Sequence, residues 1–278
     1  MTLSDLETAP NFELPDERVV VAGDWHANRP WIGRAIPAAA RTGVQTILHL
    51  GDFGFWPGGT ADLLAAVEYW VGQSWKRRMT PGIERVLVTP GNHEDWAELD
   101  ELFAAAPEQA ARVSESVWVL PKGFRFTIAG REFLSFGGAA SIDYRYRTPF
   151  RSWWPSEFPS QRDVEIAVAG GSTEVLLTHD AGRLRTPRVE KIISDPSPWT
   201  EAEREYTAES RLLIDYVVAG TQPLLHFHGH FHVRDSATIP RPGLPPLQVE
   251  SLGMDDQPGN LGLLELADLS VSDVEVRP

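Results

Sequence analysis

Thr89-Pro90-Gly91-Asn92-His93-Glu94-Asp95 follows Arg85-Val86-Leu87-Val88, a short β-branched run that reads as a buried strand. Pro90 and Gly91 end that strand. Asn92 and His93 then fall at its carboxyl end, where side chains of neighbouring strands converge on a crevice in open α/β sheets. An Asn amide oxygen can ligate a metal ion, and the imidazole beside it can move a proton.

Four more clusters stand in the same relation to an apolar run. Val19-Val20-Val21-Ala22 leads to Asp24-Trp25-His26, and Thr46-Ile47-Leu48-His49-Leu50 leads to Gly51-Asp52. Val175-Leu176-Leu177-Thr178 delivers His179, and the strand over residues 223–228 delivers Gly229-His230-Phe231-His232. The five clusters bring together five of the chain's eight histidines, two carboxylates and one amide. This is a nitrogen and oxygen donor set without sulfur. It suits Mn, Fe, Zn, Ni or Co, and donor type does not choose among them, although manganese is the leading expectation. Seven ligating groups exceed what one ion takes and suit two ions sharing a carboxylate, an arrangement fitted to phosphoryl chemistry. His49 and His226 lie inside apolar strands and read as packed core residues. His228 reads the same way, or as a support for a ligand.

Between these strands the pattern predicts helices over residues 31–41, 60–78 with Thr60 as N-cap, 94–106, 161–169 and 201–219. Residues 117–120 and 124–136 read as strands with a hairpin turn at Gly130, and residues 247–252, 261–266 and 270–276 as three short strands closing the chain. Residues 181–200 read as an irregular basic loop. Residues 139–161, with Trp153-Trp154-Pro155, read as an ordered surface excursion or cap. Residues 1–17 are acidic, carry Pro10 and Pro15, and read as a flexible lead-in. Residues 18–278 read as one domain of two packed sheets with helices outside. No Gly-x-Gly-x-x-Gly follows the first strand, so dinucleotide binding has no support.

Composition narrows the function. The absence of cysteine excludes thiolate metal sites, disulfides and a cysteine nucleophile, and fits a cytoplasmic, reducing setting. No apolar run reaches the roughly 20 residues of a membrane span, and residues 1–18 lack the basic-then-apolar layout of a signal peptide. A net charge of −14 argues against a broad grip on nucleic acid. Two basic islands stand against that background, residues 122–151 and 183–191. Within the first, Arg145, Arg147 and Arg151 are candidate phosphate contacts, because a guanidinium fork matches phosphate oxygens. Trp25, Phe53, Phe55, Trp56, Trp153 and Trp154 either stack a nucleobase or pack their own loops.

The five blocks, in this order and over residues 19–232, resemble those of the calcineurin-like metallophosphoesterases. The resemblance implies a four-layer αββα sandwich with two divalent metal ions at the strand ends. It implies that Asp24, His26 and His232 bind one ion, that Asn92, His179 and His230 bind the other, and that Asp52 bridges them. It implies that His93 contacts phosphate and protonates the leaving group, that a metal-bridging hydroxide attacks phosphorus in line, and that Glu94 is structural. The Ser/Thr protein phosphatases of this superfamily carry a second Asp three places after the Gly-Asp pair, then Arg-Gly. Here Gly51-Asp52 runs into Phe53-Gly54-Phe55-Trp56, so the usual acidic partner of the catalytic His is missing. The shorter form is similar to the bacterial and phage branch with its phosphodiesterases, as are Gly137-Gly138-Ala139 and Trp153-Trp154-Pro155. The expected activity is hydrolysis of a small nucleotide or cyclic-nucleotide phosphodiester. The alternatives are a phosphomonoesterase or nuclease using the same site, and a non-catalytic scaffold such as the superfamily's retromer subunit.

Overall fold

A computed structural model describes residues 6–76 and 81–277 of the chain. In chain order the strands and helices are β1 (Thr8–Ala9), β2 (Glu13–Leu14), β3 (Arg18–Ala22), α1 (Arg29–Arg41), β4 (Thr46–His49), α2 (Thr60–Lys76), β5 (Arg85–Val88) and α3 (Trp96–Ala105). Then come β6 (Ala110–Arg112), β7 (Val117–Val119), β8 (Phe124–Ile128), β9 (Arg131–Phe136), α4 (Gln161–Ala169), β10 (Val175–Thr178) and α5 (Pro187–Ser194). The chain closes with α6 (Glu201–Thr221), β11 (Leu225–His228), β12 (Asp235–Arg241), β13 (Leu244–Ser251), β14 (Leu261–Glu265) and β15 (Val271–Asp273).

The strands form two sheets. One runs β1-β6-β7-β5-β4-β3-β14-β15, the other β12-β13-β11-β10-β9-β8-β2. At the centre of the first, β3, β4, β5 and β7 are parallel, and β14 joins β3 antiparallel with Leu261 opposite Ala22. At the centre of the second, β9, β10, β11 and β13 are parallel. Alternate residues of each strand face opposite ways, and both faces of both sheets are covered. Val19, Val21, Leu48 and Leu87 meet Phe133, Val175, Leu177 and Phe227 between the sheets. Val20, Ile47, Val86 and Val88 pack outward against Ile32, Ile36, Leu63 and Val67 of α1 and α2. Leu134, Leu176 and Val249 pack outward against Val164, Ile214 and Val217 of α4 and α6. The result is the expected αββα sandwich. Its continuous β-branched runs are what strands buried on both faces require. No helix among the described residues is long and apolar enough to cross a membrane.

Several local expectations need correction. Part of the lead-in is tied down, since β1 pairs with β6 and β2 with β8; residues 1–5 lie outside the described set. Thr60 is the first residue of α2 and its hydroxyl donates to the Trp56 carbonyl, so it is not a cap; the expected end of that helix near Arg78 lies outside the described residues. Helix α3 starts at Trp96, capped by the Asp95 carboxylate, which leaves Glu94 outside the helix. The segment read as an irregular loop contains α5, which starts on a proline, whose fixed φ suits the first helical turn. Strands β6 and β12 have no clear sequence signal: β6 is only Ala-Ala-Arg, and β12 is an edge strand that carries Pro240.

Candidate metal centre

Every proposed ligand leaves the carboxyl end of a central strand. Asp24 and His26 follow β3, Asp52 follows β4, and Asn92 and His93 follow β5; from the other sheet His179 follows β10, and His230 and His232 follow β11. The loops that hold them are backbone-strained. His26, Asp52, His230 and His232 all have φ between 46° and 67°, a region costly for residues with a Cβ. Two glycines allow the loops to close on one another. A Cβ at Gly91 would lie 2.2 Å from Asp52 Oδ1, and one at Gly229 would lie 2.3 Å from Asp24 Oδ1.

Asp24, His26, Asp52 and His232 present donor atoms that all lie within 4.8 Å of one another. His232 Nε2 is 3.0 Å from Asp24 Oδ2, and His26 Nε2 is 3.6 Å from Asp52 Oδ2. A second group meets on the other side of Asp52. His179 Nε2 is 3.2 Å from Asp52 Oδ1, 3.0 Å from Asn92 Oδ1 and 3.2 Å from His230 Nδ1. Asp24, Asp52, Asn92 and His179 are buried. Asp24 Oδ2 makes no hydrogen bond among the described residues in spite of its burial and its close histidine. A buried carboxylate oxygen without a hydrogen bond, facing imidazole nitrogens, is costly alone and is suited to a cation. The residues therefore fit divalent metal ions.

The histidines are oriented for that task. His26 Nδ1 donates to Asp255 Oδ1 at 2.9 Å, and His179 Nδ1 donates to the Leu50 carbonyl at 2.7 Å, which leaves each Nε2 turned to the cluster. Burial opposes the charged form of both rings. The surrounding carboxylates outweigh it, with Asp52 and Asp24 acting on each and Asp255 also on His26. The pKa values rise to about 9 for His26 and about 10 for His179. Without an ion, protons on these rings balance the buried acids; a bound cation takes their place. Asp52 is held well below its usual range by His179 and His93, against the effect of burial. His93 is lowered by burial and by Arg147.

Arg147 stands where the missing acidic partner of His93 raised a question. Its Nη2 lies 2.8 Å from His93 Nε2 and 3.1 Å from Nδ1, and its Nε donates to Asp143 Oδ1 at 2.7 Å. The His93 backbone N–H donates to Asp52 Oδ1 at 2.8 Å. Arg147 lines a cavity of about 350 Å³ over the cluster, together with Asp52, Asn92, His93, His230 and His232. Arg145 and Arg151 do not line it. Arg145 is exposed and its Nε donates to the Tyr144 hydroxyl, and Arg151 is exposed. Residues two apart on the tight turn Tyr144–Tyr146 point different ways, so only Arg147 reaches inward.

The aromatic candidates divide in the same way. Trp25, Phe53, Phe55 and Trp154 belong to the hydrophobic core. Trp153 donates to Glu157, and Trp56 donates to the His93 carbonyl at 3.0 Å. The aromatic walls of the cavity are instead Trp199 and Phe231. His49 packs edge-on to Trp25 and Phe53, His226 Nε2 pairs with the Thr178 hydroxyl at 2.8 Å, and His228 Nδ1 donates to the Gly229 carbonyl at 3.1 Å.

Glu94 has the structural role expected of it, whereas Asp255 and Asn260 escaped the sequence reading. Glu94 is buried, and its carboxylate accepts the N–H groups of Phe53 (2.8 Å), Gly54 (3.0 Å) and Phe55 (2.9 Å), fixing the loop that leaves Asp52. Burial and the charge of Asp52 push it up to about 7. Asn260 accepts from the indoles of Trp25 (3.1 Å) and Trp31 (2.9 Å) and donates to the carbonyls of Asp24 (3.2 Å) and Gly253 (2.9 Å). Asp255 and Asn260 sit in the tail without a diagnostic spacing. Their only signal was position: Asp255 follows the apolar run at 247–252 and Asn260 precedes the one at 261–266.

The chain is similar in structure to TT1561 of Thermus thermophilus, with 12% identity over 94% of this chain and 100% of that one and a TM-score of 0.54. It also overlays on the phosphopantetheinyl hydrolase PptH from Mycobacterium tuberculosis, with 14% identity, 90% and 94% coverage and a TM-score of 0.44. No curated protein matches it in sequence. The family model for calcineurin-like phosphoesterases matches residues 17–234.

Proposed function

The chain belongs to the calcineurin-like phosphoesterase family, and on that footing we propose that it is a dinuclear metal-dependent phosphodiesterase acting on a small nucleotide or cyclic nucleotide. The observation that carries this reading is the position of Asp52. One of its oxygens faces His26 of the first donor group, and the other faces His179 of the second. Asp24, His26 and His232 would hold one ion, Asn92, His179 and His230 the other, and Asp52 both. Divalent ions held there would supply Lewis-acid charge to the phosphate and lower the pKa of water.

The remaining work falls to the chain. Arg147 offers a guanidinium to a phosphate oxygen, with Asp143 fixing its direction. His93 lies against the same guanidinium, so both side chains address one point above Asp52. Hydrolysis breaks one ester P–O bond, water supplies the oxygen of the new one, and the departing oxygen takes its proton from His93, whose charged form Asp52 favours against burial and Arg147. The cavity walls beyond this point include Ile142, Ile192, Ile193, Trp199 and Phe231. They give the second ester group of a diester an apolar seat, which a monoester would leave empty. The cavity is within the ~300–1,000 Å³ range of small-molecule sites, which with the acidic surface supports a small ligand over a long nucleic acid. The cytoplasmic setting is part of the same proposal and rests on the lack of cysteine.

The test is hydrolysis of bis-p-nitrophenyl phosphate and p-nitrophenyl phosphate by metal-stripped protein with Mn²⁺, Ni²⁺ or Zn²⁺ restored. Metal-dependent turnover favouring the diester, with Mn²⁺ most active, is expected. Preference for the monoester would make the protein a phosphatase. No turnover with any ion would favour the scaffold reading.

A further inference from the structure

Part of the wall of the cavity is built by α6. Arg204, Thr207 and Arg211 occupy positions i, i+3 and i+7 of that helix, so they share one face, and all three line the cavity. At the α-helical rise the two arginines are spaced roughly 10 Å along the axis. Arg204 spends one hydrogen bond on the Pro196 carbonyl, at 3.2 Å. Arg211 is half-buried, and no hydrogen bond or ion pair among the described residues engages its guanidinium. Asp180, Asp215 and Glu190 attract it and Arg185 repels it; Asp215 accepts the Arg183 N–H and Glu190 pairs with Arg185, while Asp180 Oδ2 is buried without a hydrogen-bond partner. Of the acids on the cavity wall, Asp52 belongs to the cluster, Asp143 receives Arg147, and Asp195 receives the Ser197 N–H at 3.0 Å. A desolvated, unpaired guanidinium beside an open cavity is unfavourable unless an anion completes it. Ile192, Ile193, Trp199 and Phe231 line the same cavity.

We propose that Arg204 and Arg211 form a second anion subsite, so that the substrate carries a further phosphate group beyond the scissile one, joined to it by an uncharged body that packs against Trp199 and Phe231. This rests on the reading of the metal cluster as the place of the scissile phosphate. The subsite selects among substrates and takes no part in bond breaking.

The test is calorimetric binding to the Mn²⁺-loaded full chain, with adenosine 3′,5′-bisphosphate and adenosine 5′-monophosphate as probes. The bisphosphate is expected to bind about 10-fold to 100-fold tighter, the range of one charged hydrogen-bonded contact. Arg211→Gln and Arg204→Gln are each expected to reduce that ratio toward one, whereas Arg147→Gln weakens both probes alike. Equal affinities in the native chain, or a ratio that survives both helix substitutions, overturns the subsite. If Arg211→Gln fails to fold, Arg204→Gln decides alone, because its side chain is accessible. An Arg211 that serves only to offset Asp180 would leave the ratio intact in Arg211→Gln, and adding Asp180→Asn would restore the stability of that variant. The subsite fails separately from the metal reading: ester turnover with equal probe affinities counts against the subsite alone, and absent turnover counts against the proposed activity.

Discussion

Asn260→Ala removes a side chain that makes four buried hydrogen bonds: two accepted from indole N–H groups and two donated to backbone carbonyls. All four partners would be left in an interior where Trp25, Trp31 and Asp24 are almost fully shielded from solvent. A buried donor or acceptor without a partner costs about 1–3 kcal/mol. Taking the low end for each group, since a water can enter the space vacated, the loss is about 4 kcal/mol. At ~2.1 cal/mol/K of unfolding entropy per residue, a chain of this length melts roughly 7 °C lower for that loss. Scanning calorimetry of the metal-free protein reads the shift directly. Because Asn260 also holds the Asp24 carbonyl, affinity for Mn²⁺ should fall about 10-fold, the usual effect of removing a group that supports a ligand. A fall in melting temperature under ~2 °C with unchanged Mn²⁺ affinity would refute the argument, since it would mean that the four groups are not held by Asn260.

Asp52→Asn and His93→Ala should each remove most ester hydrolysis, by roughly 10²–10⁴-fold for His93, with circular dichroism unchanged. Asn tolerates the left-handed backbone at position 52, so folding is spared; unchanged turnover in either variant would end the role given to that residue. Arg147→Ala should raise KM for phosphodiesters by about 10-fold or more with a smaller change in kcat, because the contact is made before and during reaction alike; a pure kcat loss would contradict it. Glu157 is buried, with Oε1 accepting from the Ser141 N–H and the Trp153 indole and Oε2 unpaired, and burial pushes its carboxyl up to about 8, with Arg147 working the other way and Lys122 and Tyr206 nearby. The folded chain therefore holds a proton that the unfolded chain has released, and stability falls as pH rises from about 4.5 to about 8 and is level above. Glu157→Gln should flatten that slope and stabilise the protein at pH 8 by a few kcal/mol, on the order set by the shift; urea denaturation curves with the same pH dependence in both proteins would count against it.

The sandwich and the clusters of the candidate metal centre were legible in the sequence because both depend on local signals. A β-branched run of four or five residues buried on both faces has few readings. A Gly-Asp or Gly-Asn-His after such a run has fewer. The hidden features depend on chain segments that meet only in space. Arg204 and Arg211 look like ordinary solvated charges on an amphipathic helix, and only the docking of α6 turns their face toward the cluster. Arg145, Arg147 and Arg151 look equivalent in sequence, and a carboxylate four residues before Arg147 distinguishes it. Trp25 and Phe53 stand among ligands and suggest stacking partners, yet the space they fill is the core under α1. Glu94 has a helix former's character, but the loop after Asp52 needed its carboxylate more than the helix did.

The order of the sheet has a further consequence for how the chain is made. β3, which carries Asp24 and His26, lies between β4 and β14. The first neighbour is synthesised soon after β3, and the second only when residues 261–265 emerge. Until then one edge of an apolar strand is bare, a ready template for pairing with another chain. Asp255 and Asn260, which steady His26 and Asp24, arrive in the same late stretch. The candidate metal centre is thus assembled last, from the earliest and latest parts of the polypeptide. Light scattering from a chain stopped after residue 258 should show association that the full chain does not, and a monodisperse truncated chain would speak against this order of assembly.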